Sequence, residues 1–329
     1  MSKLPFEQLN RTILVKKEAK TSDKFGINPE KRYVEKLIDY GIVNIDKPQG
    51  PTSHQVSAYV KQILKLNKAG HSGTLDPNVT GVLPVALGRS TKIVQGLLTA
   101  GKEYVCIMHL HNEVSEDRIR KAFDDFIGKI KQIPPLKSAV KRQEREREIY
   151  YIDILEIDGQ DVLFKTGCQA GTYIRTLCVA LGRKLGTNAH MAELRRTKAG
   201  PFDESTLVTL QDLQDAYTFW KEDKNEKLIR KCIQPVENAV KHLPKLWVTD
   251  YTVNSLCHGA ALNIPGISKL ESDAKYDETC AILTLKDELI AIGKLRMNSN
   301  EIMVKEKGIV VLLDAVFMEP GTYPKMIKK

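Results

Sequence analysis

His71-Ser72-Gly73-Thr74-Leu75-Asp76-Pro77-Asn78-Val79-Thr80-Gly81-Val82-Leu83-Pro84-Val85 is the stretch from which the architecture can be read. Gly73, Gly81, Pro77 and Pro84 punctuate small polar residues and then an apolar run, which describes a rigid loop leading into a buried strand. Such a loop can hold one carboxylate, that of Asp76, at the mouth of a cleft. Taken alone, the segment also allows a plainer reading of Asp76 as an Asx-turn residue before a proline.

Outward from this loop, strands and helices alternate irregularly. Upstream, Gly41–Asp46 (GIVNID) reads as a buried strand, followed by the Lys47–Pro51 turn and a helix. Thr52 and Gln55 form a capping box for that helix, and Val56, Val60, Ile63 and Leu64 form its apolar stripe. Downstream, Tyr104–His111 reads as a strand, and Ser115 is placed to cap a helix whose core face is Ile119, Ala122, Phe123, Phe126 and Ile127. Strands over Tyr150–Ile157 and Val162–Gly167 flank Asp158-Gly159, a hairpin signal. Thr172–Leu185 follows as a helix with Ile174, Leu177, Cys178, Leu181 and Leu185 on one face and Gly186 as its C-cap. Tyr217–Lys231 is charged and reads as a solvated helix or linker. After Leu246 the texture becomes short strands, Ala281–Leu285, Leu289–Arg296 and Gly308–Leu313. Hairpins mixed with helices predict an α+β fold with a small C-terminal β-barrel-like domain rather than a doubly wound parallel sheet. The expected division is 1–36 as a basic extension, 37–246 as the main body and 247–329 as the barrel.

Composition narrows the function. The 329 residues carry 50 Lys and Arg against 41 Asp and Glu, a net +9, which suits a phosphate-rich partner. Between Lys165 and Gly200 the basic residues are Lys165, Arg175, Arg183, Lys184, Arg195, Arg196 and Lys198, against Glu193 alone. The six cysteines include no C-x-x-C pair and no finger-type histidine spacing, so neither a zinc module nor a disulfide scaffold is expected. An N-terminus without an apolar core, and no apolar run of about 18 residues, predict neither secretion nor a membrane span.

Two motif-like features fail on chemistry. Gly96-Leu97-Leu98-Thr99-Ala100-Gly101-Lys102 begins like a P-loop, but Glu103 stands where a magnesium-binding Ser or Thr belongs, and a helical pattern precedes it. His109 and His111 share a strand face without a third ligand at a recognisable spacing, so no metal site is expected. The surviving constellation is Asp76, Tyr104 after Lys102-Glu103, and Tyr173 with Arg175 in Gly171-Thr172-Tyr173-Ile174-Arg175-Thr176-Leu177. It holds one carboxylate, an aromatic and a cation, without the second acid that sugar-bond hydrolysis usually needs. For Tyr173 and Arg175 a half-buried tyrosine and a surface arginine remain the plain alternative.

HSGTLDPNVTGVLPV, GKEY and GTYIRTL in this order, preceded by GIVNIDKPQGPTSH, resemble the motifs of the TruB family of RNA pseudouridine synthases. The likeness covers roughly residues 37–240 and is closer to the dyskerin-like branch, the catalytic subunits of H/ACA ribonucleoproteins. Leu256-x-x-Gly259-x-x-Leu262 and Pro265-Gly266-Ile267 resemble the opening of an RNA-binding PUA domain, on which the branch packs its N-terminal extension. The resemblance implies Asp76 as nucleophile, Arg175 as its paired cation, and Tyr104 as the residue that stacks on the target base and removes the proton from carbon five. It implies Tyr173 and Leu194 as further pocket walls and His71 as a support for the flipped nucleotide. Residues 134–142 resemble the family's thumb loop, with Lys137, Lys141 and Arg142 as RNA contacts. Glu144, Glu146 and Glu148 dilute the positive charge next to it. Arg183, Lys184, Arg195, Arg196 and Lys198 are expected to meet phosphates.

The implied activity is isomerisation of specific uridines without cofactor or metal, directed by a guide RNA toward ribosomal RNA. Small H/ACA core proteins are the implied partners: a short zinc-ribbon or zinc-less protein, a glycine/arginine-rich-type protein and a kink-turn-binding ribosomal-like protein. No membrane is involved. The chain has no long lysine-rich tail of the nucleolar kind, so an archaeal-type cytoplasmic location is expected. The alternatives are a stand-alone tRNA pseudouridine synthase acting on the T-loop uridine and a non-catalytic RNA-binding scaffold.

Overall fold

The N-terminal residues run as a strap along the molecule before the first sheet begins. In the computed structural model, which describes residues 2–135 and 141–325, Leu4 is fully buried and the short strand β1 (Ile13–Val15) adds to a sheet formed by the C-terminal part of the chain. After helix α1 (Val34–Asp39) the main sheet starts with β2 (Gly41–Lys47). Helix α2 (Ser53–Ile63) follows, capped as its sequence predicts by reciprocal Thr52 and Gln55 bonds of 3.1 and 2.8 Å. Next come β3 (Ala69–His71), β4 (Thr80–Leu87), α3 (Val94–Leu98) and β5 (Lys102–Leu110).

Helix α4 (Glu116–Asp124) begins at Ser115, but the serine hydroxyl accepts no bond from the first turn. Glu116 and Asp117 there supply the negative charge that the helix dipole favours. Phe126 and Ile127 fall beyond the helix end, and Ile127 is exposed. Strands β6 (Gly128–Gln132), β7 (Arg145–Asp158) and β8 (Asp161–Cys168) form a meander, and Gly159 turns the β7–β8 hairpin with φ +56°. Helix α5 (Ile174–Leu185) ends at left-handed Gly186, and β9 (Ala189–Ala199) returns to the sheet centre. After β10 (Phe202–Asp203), residues 210–232 fold as α6 (Leu210–Asp223) and α7 (Glu226–Cys232), ahead of β11 (Ile233–Pro235).

The expected solvated helix or linker over 217–231 is thereby corrected. Leu213, Ala216, Tyr217 and Trp220, three or four residues apart, bury one face of α6 against β2, β4 and α2. The charged residues that dominate the composition of this segment lie on the other face.

The main sheet runs β11-β2-β4-β9-β5-β8-β7-β6, with β3 beside β4 and β10 beside β9. It is antiparallel except where β4 meets β9. The second sheet collects β1 with β12 (Lys245–Val248), β13 (Leu262–Asn263), β14 (Ile267–Glu271), β15 (Thr279–Thr284), β16 (Leu289–Leu295) and β17 (Ile309–Val316). Helices α8 (Asp250–Cys257) and α9 (Ser299–Val304) pack on it. Both sheets mix with helices, giving the α+β class. Strand β12 crosses the expected 246/247 boundary and belongs by pairing to the second sheet.

The two sheets share a core in which Tyr40, Ile42 and Val82 meet Trp247, Leu283, Ile292 and Phe317. Across the same seam, buried Arg32 pairs bidentately with Glu237 at 2.8 and 2.7 Å, and Glu237 also accepts the Leu289 amide at 2.8 Å. A buried pair with this many bonds resists separation, because breaking it strands a charge away from water.

Candidate active site

Asp76 lies on the loop between β3 and β4, which is held mostly from beneath. Lys47, buried at the end of β2, donates its ammonium to the carbonyls of Pro48, Pro77 and Val79 at 2.8–3.0 Å. Ser53 at the start of α2 accepts the Leu75 amide at 2.8 Å and donates to the Leu75 carbonyl at 3.1 Å. Leu75 and Val79 are buried while Asp76 between them is exposed, so the apolar side chains anchor the loop and leave the carboxylate facing solvent.

The Asp76 carboxylate accepts a hydrogen bond from the Arg175 guanidinium, and both side chains are about half exposed. Arg175 occupies the first turn of α5. The start of that helix is fixed by Gln132 of β6, whose side chain accepts from the Tyr173 amide at 3.0 Å and donates to the Tyr173 carbonyl at 3.1 Å. Tyr173 and Arg175 are thus placed by a clamp between the last strand of the sheet and the helix.

The third wall comes from the sheet. Tyr104 on β5 lies opposite Arg196 on β9, and the next pair along the same face is Cys106 with Leu194. This face is covered by α5, whose Cys178 sulfur lies 3.7 Å from that of Cys106. Tyr104 and Leu194 therefore share the sheet face that α5 covers, while Arg175 in the first turn of that helix reaches the Asp76 loop. Burial pushes the Tyr104 phenol above its ordinary range, and the nearby Arg196 guanidinium opposes that shift. His71 ends β3, with its Nδ1 buried and unpartnered. Burial, followed by the charge of Arg196, lowers its pKa and keeps the ring neutral.

Several candidates lie elsewhere. Lys141 and Arg142 are exposed on the approach to β7, with no contact to the Asp76 cleft among the described residues, and Lys137 lies outside the described residues. The acids that dilute this region are partly spent on the β6–β7 hairpin, where Lys129–Glu146 and Lys131–Glu144 pair across the strands. The basic run from Lys165 to Lys198 is not an open phosphate surface. Lys165 pairs with Asp153, Lys184 with Asp125, Arg195 with Asp46 and Glu204, and Lys198 with Glu7. Arg196 is 1% exposed, so it is corrected from a surface phosphate contact to a core residue, while Arg183 remains exposed.

Sequence reasoning also missed the buried lysines. Lys102, the final residue of the P-loop-like stretch, donates to the carbonyls of Leu97, Leu98 and Ala100 and so caps the end of α3. Its neighbour Glu103 accepts from Tyr151 at 2.5 Å and Thr197 at 2.8 Å, tying β5 to β7 and β9. The signal for Lys47 was its place at the end of an apolar strand, where a buried ammonium must find polar partners. The fold brings His190 beside His109 and His111, with His111 Nε2 3.0 Å from His190 Nδ1, while His109 bonds Asp161. Among the described residues no group of three or more His, Cys, Asp or Glu side chains is placed to hold a metal ion, and no helix is long and apolar enough to cross a membrane.

Comparison with known proteins gives consistent matches along the chain. Residues 61–174 match the TruB family pseudouridylate synthase N-terminal domain, and 175–241 match the tRNA pseudouridylate synthase B C-terminal domain. Residues 1–57 match the DKCLD (NUC011) domain and 244–317 the PUA domain. A protein of Thermococcus kodakarensis named probable tRNA pseudouridine synthase B is 57% identical over 323 residues, covering 98% of this chain and 96% of its own. A Methanopyrus kandleri protein of the same name is 52% identical, covering 98% and 95%. Among solved structures, a Cbf5-Nop10-Gar1 complex contains a chain that superposes with a TM-score of 0.94 at 55% identity, covering 98% of both chains. An H/ACA RNP bound to a substrate RNA containing 2'-deoxyuridine contains one that superposes with a TM-score of 0.92 at 52% identity, covering 99% and 100%.

Proposed function

We infer the function from one premise: the chain belongs to the TruB family of pseudouridine synthases, isomerases that convert uridine in RNA to pseudouridine. We propose that it does so as the guide-directed catalytic subunit of an H/ACA ribonucleoprotein acting on ribosomal RNA. The observation that carries the catalytic reading is the Asp76–Arg175 pair, which joins the β3–β4 loop to the first turn of α5 beside the sheet face that carries Tyr104 and Leu194. The H/ACA assignment is supported by whole-chain likeness, at more than half identity, to proteins solved within such particles.

The chemistry sets what the residues must do. The N1–C1′ bond of uridine breaks, a C5–C1′ bond forms, C5 loses a proton and N1 gains one. Atoms and electrons balance without an oxidant, a reductant or water. Asp76 is the nucleophile that holds one fragment covalently while the base turns, and Arg175 keeps the carboxylate aimed across the cleft. Tyr104 stacks on the base, and its phenolic proton goes to N1, the atom that gains one. The phenolate oxygen then takes the C5 proton, whose bonding electrons restore the C5–C6 double bond and which regenerates the phenol. Tyr173 and Leu194 enclose the base, and neutral His71 supports the flipped nucleotide.

Extruding the uridine from its stack costs a few kcal/mol, which phosphate contacts must offset. Arg183, Lys141, Arg142 and Lys137 are the side chains to which we assign those contacts. Within the basic run from Lys165 to Lys198, pairing with acids and the burial of Arg196 leave Arg183 as the exposed cation assigned here.

We divide the chain into an extension over 1–36, a catalytic domain from 37 to 244 and an RNA-binding PUA domain from 245 onward, since β12 pairs within the second sheet. Partners are guide RNA, substrate RNA and small core proteins of the particle. Six free, buried cysteines support a reducing, cytoplasmic setting. The second reading, a stand-alone tRNA synthase, is favoured by the names of the relatives. A scaffold without catalysis would have no use for the Asp76, Tyr104 and Arg175 set.

The test has two arms: the purified protein with unmodified tRNA, and with ribosomal RNA, guide RNA and core proteins, followed by mapping of pseudouridine. Guide-dependent modification in the second arm is expected. Modification confined to the first arm establishes the tRNA reading, and none in either arm overturns the catalytic one.

A further inference from the structure

Arg196 is a buried cation without an acid. Its guanidinium is 1% exposed and forms no ion pair among the described residues. Its Nε donates to the Val82 carbonyl at 2.7 Å and its Nη2 to the Gly73 carbonyl at 3.2 Å, two points on the β3–β4 segment that carries Asp76. Glycine lets the backbone come this close. A Cβ on Gly81, at φ +100°, would lie 2.2 Å from the Arg196 carbonyl oxygen, and one on Gly73, at φ +80°, would lie 3.3 Å from Nη1. Its cross-strand partner on β5 is Tyr104, whose buried phenol feels the guanidinium charge.

A buried guanidinium balanced by carbonyls alone is an expensive arrangement, because dipoles replace only part of its hydration. The arrangement has a use if a negative charge forms beside it during the reaction. The other groups around Tyr104 do not supply that. Asp76 is itself anionic, Cys168 is a buried thiol whose burial keeps it protonated, and Lys102 has its ammonium engaged by the last carbonyls of α3.

We propose that Arg196 is a positioning residue for the isomerisation, setting its charge beside the Tyr104 phenol across the strand pair and stabilising the phenolate when that oxygen serves as the base for the C5 proton. This rests on the assignment of Tyr104 as that base and adds the group that makes a buried phenol competent. Arg196 touches neither the RNA nor the reacting atoms. Its bonds to Gly73 and Val82 also give it a plain structural role, which the test must separate.

The separating measurement is a double-mutant cycle on single-turnover rates, with RNA affinity and thermal unfolding recorded for every variant. Arg196→Met is expected to slow modification about tenfold or more while RNA affinity stays within about twofold. In a Tyr104→Phe background the same substitution is expected to change the rate by less than about twofold, because the phenolate it serves is gone. Arg196→Lys, which keeps a charge but not the planar fork, is expected to recover part of the rate. If Arg196→Met does not fold, the cycle is run with Arg196→Lys and the same non-additivity is expected. A slowed Tyr104→Phe enzyme in which the arginine substitution still costs its full factor overturns the proposal and leaves Arg196 as a loop clip. A Tyr104→Phe enzyme of undiminished rate instead overturns the reading of Tyr104 on which the proposal rests.

Discussion

Lys47 forms no ion pair among the described residues, yet it fixes the loop that carries Asp76, the proposed nucleophile. Its ammonium gathers the carbonyls of Pro48, Pro77 and Val79, so the backbone on the C-terminal side of Asp76 is clipped to the end of β2. Replacing Lys47 with Met removes this donor from the Pro48 and Val79 carbonyls, while Pro77 keeps the Gly50 amide at 2.9 Å. At about 1–3 kcal/mol for one stranded buried acceptor, the variant should lose at least about 2 kcal/mol in denaturant unfolding, and its catalytic rate should fall more than its RNA affinity. Asp76 and Arg175 stand out in the sequence because glycine and proline frame the one and a helix start precedes the other. Their pairing across 99 positions is a product of the fold alone. Adjacent Arg195 and Arg196 show why composition misled. Strand alternation turns the first toward Asp46 and Glu204 and the second into the core, a difference invisible while both are counted as charge.

At the scale of elements, what could be read locally was read well. The capping box of α2, the Asp158-Gly159 turn and the Gly186 stop of α5 each depend on a few consecutive residues whose preferences agree with the fold. Thr52→Ala should cost about 1 kcal/mol in unfolding measurements, the usual value of a lost N-cap. Elements decided by tertiary contact were harder to read. The charge of residues 217–231 hides the apolar face that α6 buries, and nothing near Tyr173 in the sequence announces Gln132 as the clamp on α5. That clamp sets the direction from which Arg175 reaches Asp76. Gln132→Ala should therefore lower the modification rate severalfold, with thermal stability reduced by no more than about 1–2 kcal/mol, the worth of one lost pair of neutral hydrogen bonds.

Across the whole molecule, the N-terminal strap, the main sheet and the second sheet share one seam. Phe6 stacks edge-on against His242, Arg11 donates to the His242 carbonyl, and His242 Nε2 donates to the Gly96 carbonyl at 3.2 Å. Burial, assisted by Lys102, Lys245 and Arg11, lowers the pKa of this histidine from 6.5 to about 4. Between those values the unfolded chain binds a proton that the folded one does not. Stability is therefore greatest above about pH 6.5 and falls as the pH drops toward 4, with His71, also lowered by burial, adding to the trend. His242→Phe should make the decline of Tm over this window shallower, whereas an unchanged slope would mean that the ring is not buried and neutral at the seam. The net charge of +9 takes a different meaning at this scale. The net charge counts the whole surface, so the salt dependence of RNA binding should reflect only the exposed cations that face the RNA and not the full count.

The central claim is that Asp76 is the covalent nucleophile of a pseudouridine synthase, and Asp76→Asn tests it most directly. The substitution keeps the size of the side chain on an exposed, backbone-anchored loop, so folding and RNA affinity should be preserved. The measurement is the single-turnover rate of pseudouridine formation in a substrate RNA that the wild-type protein modifies. A fall of at least about a thousandfold, with RNA binding within about twofold, is the predicted result. Modification at the wild-type rate would contradict the assignment.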